Sequence, residues 1–196
     1  MTIEFQPRIG SLFSGSGMLD RAVEQATGGR VIWHCENDRA AKLVLAERWP
    51  GVPNLGDVRR VNWSRIRWSL GPVDILCGGF PCTDISPAGR QAGLAPGTQS
   101  GLWVEFVRAI DTLRPQTVVI ENVRNLLHVR ANIRSTLGRM GPDQRDMAGD
   151  PRGIGAVLGD LADLGFDAEW EVVPASDAGA PHRRQRIFVV AHTRRR

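Results

Sequence analysis

The chain has a single lysine, Lys42, only three cysteines, and no apolar run approaching the ~20 residues that span a bilayer. The last absence argues against a transmembrane protein. The opening MTIEFQPRIG has neither the basic start nor the apolar stretch of a secretory signal. Nothing points to export, and a cytoplasmic protein of bacterial or phage origin is expected. The cysteines stand at 35, 77 and 82, an odd number that gives no disulfide framework. Cys77 and Cys82 stand five apart and the nearest His, His34, stands alone, so no Cys and His cluster makes up a zinc set and no metal is expected. There is also no GKS or GKT phosphate loop. An adenosine-type ligand without a polyphosphate therefore fits this chain better than ATP.

What is present fits one domain with a sizeable core. The 196 residues are 42% hydrophobic, a globular composition. A single domain over 1–196 is expected, with a polar insertion at about 129–152. The net charge is +4, carried almost wholly by arginine, and the pI is about 9.7. Arginine's planar fork suits phosphates and base edges. Arginine in place of lysine also arises from genome composition, so the basic balance alone assigns no nucleic-acid partner. The terminal run 194–196 reads as a solvated tail.

Short apolar runs alternate with helical patterns. Residues 8–13 read as a strand, 14–17 as a glycine-bearing turn and 19–26 as a helix. A strand at 31–35, a helix at 39–49 and a short strand at 54–58 follow. Residues 73–77 (VDILC) read as a buried strand leading into the loop GGFPC. The stretch 87–100 reads as a long loop of the functional kind. Leu102, Phe106, Val107, Ile110 and Leu113 recur at helical spacing, and 117–120 form a strand. A helix through Ile154 to Leu164 and strands at 170–173 and 187–191 complete the chain. The alternation predicts an α/β fold, a doubly wound and mostly parallel sheet with helices on both faces. One strand of the final pair is expected to be antiparallel. In such sheets ligands bind beyond the carboxyl ends of the strands.

Two candidate sites fall at those ends. Phe13-Ser14-Gly15-Ser16-Gly17 is a small-residue turn that lets a ligand approach the backbone. Glu36 ends the second strand, where a carboxylate accepts from ribose hydroxyls, and Asp57 is placed to take an adenine amino group. From this site alone a dinucleotide-binding dehydrogenase is an equal reading. In the second site two glycines and a proline present Cys82 just past the fourth strand, where nearby cations or amide dipoles can activate a thiol. Glu121, ending the next strand, is costly to bury without a partner or a task. The run Arg183-Arg184-Gln185-Arg186 leads directly into the last strand.

Four elements, IGSLFSGSG at 9–17, Gly79-Phe80-Pro81-Cys82, Glu121-Asn122-Val123 and Arg184-Gln185-Arg186, together resemble the successive motifs of the DNA cytosine-C5 methyltransferases, in the same order and spacing. The resemblance covers nearly the whole chain. It implies a class I, Rossmann-like fold that uses S-adenosylmethionine as methyl donor. By the resemblance Cys82 is the nucleophile and Glu121 the partner of the cytosine N3. Arg184 and Arg186 hold the base carbonyl, neighbouring catalytic groups or a phosphate. Phe13, Gly15, Ser16, Gly17, Glu36, Asn37, Asp57, Val58, Pro81 and Leu102 fall at cofactor positions, and Ser86, Arg90 and Gln99 at DNA-facing ones. The partner is DNA, with the target base flipped out of the duplex. The pattern departs from the family at Ser11, where an acid is usual, and at Met18, Thr83 and Gln99, where Gly, Gln and Arg are usual. No target-recognition region or later motif is evident. The expected enzyme is therefore minimal, truncated, or one subunit of a pair whose other member supplies recognition. Two alternatives stand beside it: a non-catalytic module that binds cofactor, DNA or a partner, and a tRNA methyltransferase of the same family.

Overall fold

The computed structural model describes residues 5–81, 102–128 and 153–194. Cys82, Ser86, Arg90 and Gln99 lie outside the described residues, as do the loop expected at 87–100 and the insertion expected at 129–152. In chain order the elements are β1 (Arg8–Leu12), α1 (Met18–Thr27), β2 (Arg30–Cys35), α2 (Arg39–Arg48), α3 (Trp63–Leu70), β3 (Ile75–Gly78), α4 (Trp103–Leu113), β4 (Thr117–Val123), α5 (Gly153–Asp163), β5 (Phe166–Pro174) and β6 (Gln185–Thr193). The strands form one sheet in the order β2-β1-β3-β4-β6-β5. β1 pairs in parallel with β2 and β3, and β3 in parallel with β4. β5 and β6 are antiparallel. The sheet is thus mixed and mostly parallel, the Rossmann-like class expected.

The described residues divide into two compact units, one from 1–79 with 109–120 and one from 80–108 with 121–196. In the first unit β1 is the central strand. Ile9, Gly10, Ser11 and Leu12 are all buried, as a strand covered on both faces requires. Ile9, Val31, Ile75 and Cys77 form a core with Val23 of α1, and Leu19, Trp49, Val52 and Val119 pack against it. The indole of Trp33 occupies the space above Gly10: a Cβ there would lie 2.2 Å from the ring. Trp33 in turn meets Trp63 of α3, with ring centroids 5.5 Å apart.

Local chemistry sets the helix starts. The Asp38 carboxylate accepts from Ala41 N at 2.8 Å to begin α2, and the Asn62 side chain accepts from Arg65 N at 3.0 Å to begin α3. The strand expected at 54–58 is not one. Asn54 makes an isolated bridge with His34. Its side chain then accepts from Gly56 N at 2.9 Å, and Gly56 sits at φ 76°, so the chain turns instead of extending. A short 3-10 turn, Val58–Arg60, follows.

In the second unit β5 and β6 pair along their whole lengths, from Phe166↔Thr193 to Pro174↔Gln185. Ile187, Val189 and Ala191 of β6 are fully buried, as are Val157 and Leu161 of α5. No described helix is long and apolar enough to cross a membrane.

Gly10→Ala should destabilise the protein by about 1–3 kcal/mol, because the new methyl must displace a fully buried indole. Urea unfolding followed by tryptophan fluorescence measures this. An unchanged midpoint would show that Trp33 yields freely.

Candidate active site

In the first unit the chain leaves β1 through a turn whose backbone is unusual at successive positions. Phe13 and Gly15 both have φ 53°, and Gly17, at φ 77°, is the residue before α1. Phe13 N donates to Cys35 O at 2.8 Å, which ties the ends of β1 and β2 together. A Cβ on Gly15 would meet nothing within 4 Å, so open space lies beside that backbone. A Cβ on Gly17 would strike the Trp49 ring at 2.4 Å. Arg48 donates to Ser16 O at 2.8 Å.

Glu36 organises this turn. One carboxylate oxygen accepts from Gly15 N at 2.8 Å and the other from Asp38 N at 2.7 Å. Glu36 N donates to the Asn54 side chain at 3.1 Å, and that same oxygen takes Gly56 N. Phe13, Gly15, Ser16, Gly17 and Glu36 are therefore brought together, with Asn37 exposed beside them. Each carboxylate oxygen of Glu36 keeps a second lone-pair direction for a ligand hydroxyl. Asn54, which joins Glu36 to the 54–57 turn, is missed by the sequence reading. An asparagine before Leu-Gly is the available turn signal.

Asp57 is engaged by its own neighbour. Arg59 bonds both carboxylate oxygens, at distances from 2.6 to 3.2 Å, and holds the carboxyl down at about 2. Val58 is buried. A ligand amino group at Asp57 would share the carboxylate with a guanidinium.

Beneath the turn lies a buried polar layer that the sequence reading also misses. Ser11 and Ser14 share a hydrogen bond of 2.7 Å. Asp20 on α1 and His34 on β2 are 3.1 Å apart, each 1% exposed. The far ring nitrogen of His34 has no protein partner among the described residues. Burial pushes the Cys77 thiol up, assisted by the charge of Asp20, which leaves it a neutral core residue.

In the second unit the structure places Phe80, Pro81, Leu102, Glu121, Arg184 and Arg186. Burial alternates along β4, with Glu121 half-buried and Asn122 buried. The two side chains therefore leave opposite faces of the strand. Asn122 donates to Phe80 O at 3.1 Å while its own oxygen accepts from Val123 N at 2.8 Å. It thereby anchors the backbone two residues before Cys82. Asn122 was read only as part of a motif, not as a site residue.

Glu121 Oε1 lies 2.7 Å from Arg186 Nε. Burial pushes the Glu121 carboxyl above its ordinary value, and the charge of Arg184 pulls it partly back. The Arg186 guanidinium beside it also favours the ionised form. The site thus holds a carboxyl that burial raises above its ordinary value and that an arginine orients. Arg184 immediately precedes β6, and its carbonyl accepts from Ala175 N at 2.8 Å. Among the described residues no group of three or more His, Cys, Asp or Glu side chains is placed to hold a metal ion.

Comparisons with known proteins bear on the family and the fold. The family model for the C-5 cytosine-specific DNA methylases matches residues 7–196. The chain is 29% identical to the type II methyltransferase M.MspI of Moraxella sp over 92% of its length and 37% of the relative's. It is 32% identical to M.AluI of Cellulosimicrobium cellulans over 92% of its length and 32% of the relative's. The chain therefore spans about a third of the length of these curated relatives. In fold it is similar to the Dnmt2 methyltransferase of S. pombe, with a TM-score of 0.69, 12% identity, and coverage of 98% of this chain and 51% of that one. A DNMT2 mutant of Spodoptera frugiperda gives a TM-score of 0.67 at 17% identity, covering 96% and 50%.

The raised Glu121 carboxyl has a consequence for stability. A folded state that keeps its proton to higher pH is favoured below the ordinary carboxyl range and loses that advantage as pH rises through the raised value. Wild type should therefore lose stability relative to Glu121→Gln as pH rises across that window. Urea midpoints of the two proteins on both sides of it test the sign. A difference that does not vary with pH would mean that Glu121 titrates normally.

Proposed function

For a chain that belongs to the C-5 cytosine-specific DNA methylase family, we propose that it transfers a methyl group from S-adenosylmethionine to carbon 5 of cytosine in DNA, with Cys82 as the nucleophile. The single observation that carries this reading, beyond family membership, is the Glu121 carboxyl. It is raised above its ordinary value by burial and held by Arg186 at 2.7 Å.

Carbon 5 of cytosine is a poor nucleophile. Addition of the Cys82 thiolate to carbon 6 forms a C–S bond and moves the ring π electrons toward carbon 5 and N3. A protonated Glu121 donates a hydrogen bond at N3 and stabilises the charge that gathers there. Arg186 fixes the carboxyl's orientation, and Arg184 adds positive charge near the same acid. Carbon 5 then takes the methyl group, loses its proton, and the C–S bond breaks to return the thiolate. The base reaches these groups only when flipped from the duplex.

S-adenosylmethionine, when bound, supplies the electrophilic methyl. The residues of the first unit fit its adenosine. The open side of Gly15 admits a ligand against the backbone, and Glu36 offers acceptors for ribose hydroxyls. Phe13 offers a ring face, with Asn37, Asp57 and Val58 following. Pro81 and Leu102 are the family's cofactor positions on the other unit. On the DNA side the proposal carries Ser86, Arg90 and Gln99. A second subunit, one of the forms expected from the sequence, finds no support in the fold or in these relatives. The intact pairing of Glu121 with Arg186 favours an enzyme over a module that only binds.

Covalent trapping on DNA containing 5-fluorocytosine, with S-adenosylmethionine present, tests the chemistry, because fluorine at carbon 5 blocks the final elimination. Wild type should form an adduct that survives denaturation and maps to Cys82. Cys82→Ser should form none while unfolding like wild type. Trapping on RNA alone would replace the DNA substrate, and trapping on neither would overturn the reaction.

Glu36→Ala should weaken S-adenosylmethionine binding by about 1–3 kcal/mol, since it removes ribose acceptors and frees the Gly15 and Asp38 N–H groups. Calorimetry measures the change, and equal affinities would remove Glu36 from the site.

A further inference from the structure

The second unit contains a buried carboxylate that the reaction above does not use. Asp160 sits in the middle of α5 and is 4% exposed, between the fully buried Val157 and Leu161. A charged group at such a position costs free energy that a leucine would not. Its oxygen accepts from the indole Nε1 of Trp103 at 2.8 Å. Trp103 is itself fully buried, and a buried indole N–H needs an acceptor that a phenylalanine would not. The buried indole thus finds its acceptor in Asp160.

The Trp103 ring stands 5.2 Å from the Phe80 ring, tilted by 48°, and is backed by Phe106 at 5.4 Å. Phe80 is 2% exposed, and its carbonyl is held by Asn122. Phe80-Pro81 and Leu102-Trp103 are the described chain on either side of residues 82–101. The two flanks of that segment thus meet at one ring contact. Apolar packing alone tolerates rotation of a ring in its plane, whereas a hydrogen bond at the indole edge fixes it.

We propose that Asp160 is a positioning residue for the cysteine nucleophile: it orients the Trp103 indole, which fixes Phe80 two residues ahead of Cys82. The proposal rests on the reading of Cys82 given above. Packing against Phe80 and Phe106 places the ring, and the carboxylate–indole bond fixes its edge. An error of an ångström in the placement of a reacting group costs up to about a hundredfold in rate.

The test measures the rate of 5-fluorocytosine adduct formation at saturating DNA and S-adenosylmethionine. Asp160→Leu, which cannot accept, and Trp103→Phe, which cannot donate, should each slow it about ten- to hundredfold. The double variant should be slower than Asp160→Leu alone by much less than the Trp103→Phe factor, because the indole–carboxylate bond is already lost in each single variant. Asp160→Asn keeps an acceptor oxygen and should restore a rate near that of wild type. If Asp160 served core stability alone, Asp160→Leu would lower the urea midpoint but leave the rate of the folded protein unchanged; that outcome overturns the proposal, as do effects that multiply in the double variant. Should Asp160→Leu not fold, Asp160→Asn placed in the Trp103→Phe background must change nothing further. Should wild type form no adduct, the reading of Cys82 has failed, and hydrogen exchange of the Trp103 indole N–H, assigned by its loss in Trp103→Phe, still tests the brace. Asp160→Leu should then exchange it several-fold faster than wild type and Asp160→Asn no faster; equal rates in all three overturn it.

Discussion

Burial of β1 on both faces constrains everything around it in the first unit. A strand with no solvent-facing side can carry neither a large side chain where an indole already lies nor a polar one without a partner. Gly10 meets the first demand, since Trp33 fills the volume its side chain would take. Ser11 meets the second through its bond to Ser14. With the strand fixed this tightly, its end is fixed too, and the turn from Phe13 to Gly17 emerges at a defined place. Glu36 then fastens that turn to the end of the neighbouring strand. The position of the glycine turn therefore derives from core packing, through a chain of contacts that includes the Glu36 carboxylate.

Carboxylates are used in four distinct ways in this protein, and their surroundings decide which. Asp57 is part-buried and paired with Arg59, so it stays ionised far into acid. Glu36 is committed to backbone amides, which suits a structural clamp with spare lone pairs. Asp160 is buried against an indole N–H. Glu121 is half-buried with Arg186 against it, and burial raises its carboxyl more than the charge of Arg184 lowers it. Only this last environment gives a group able both to hold a proton and to surrender it, which is what charge stabilisation on a base requires.

Much of this was legible in the residues themselves. RIGSLF, VDILC and TVVI are short runs dominated by apolar residues, as strands covered on both faces tend to be. The glycine turn, Glu36, Glu121 and the arginine run stood out because each places polarity or flexibility at the end of such a run. The strand expected at 54–58 failed because short apolar spacing there was outweighed by the turn chemistry of Asn54 and Gly56. α3 went unread although Trp63, Ile66 and Leu70 have helical spacing, since Trp68 and the interleaved arginines blur the apolar face; Trp68 is 87% exposed. The partners across space were not legible at all. Which of Arg184 and Arg186 touches Glu121 depends on strand register. That Asp160 meets Trp103 depends on the packing of two helices far apart in sequence.

Two glycines of the first unit face tryptophans: Gly10 faces Trp33, and Gly17 faces Trp49. In each pair the ring occupies volume that any other residue at the glycine would claim. Neither member can drift alone. A larger residue at 10 or 17 collides with the ring, and a smaller residue at 33 or 49 leaves a void in a packed core. Sequence change at these places must therefore pass through paired substitutions, with an intermediate that is less stable than either endpoint. The lineage carrying this chain is in that sense entrenched, and its two indoles hold the glycine turn in place across generations as they do within a single molecule.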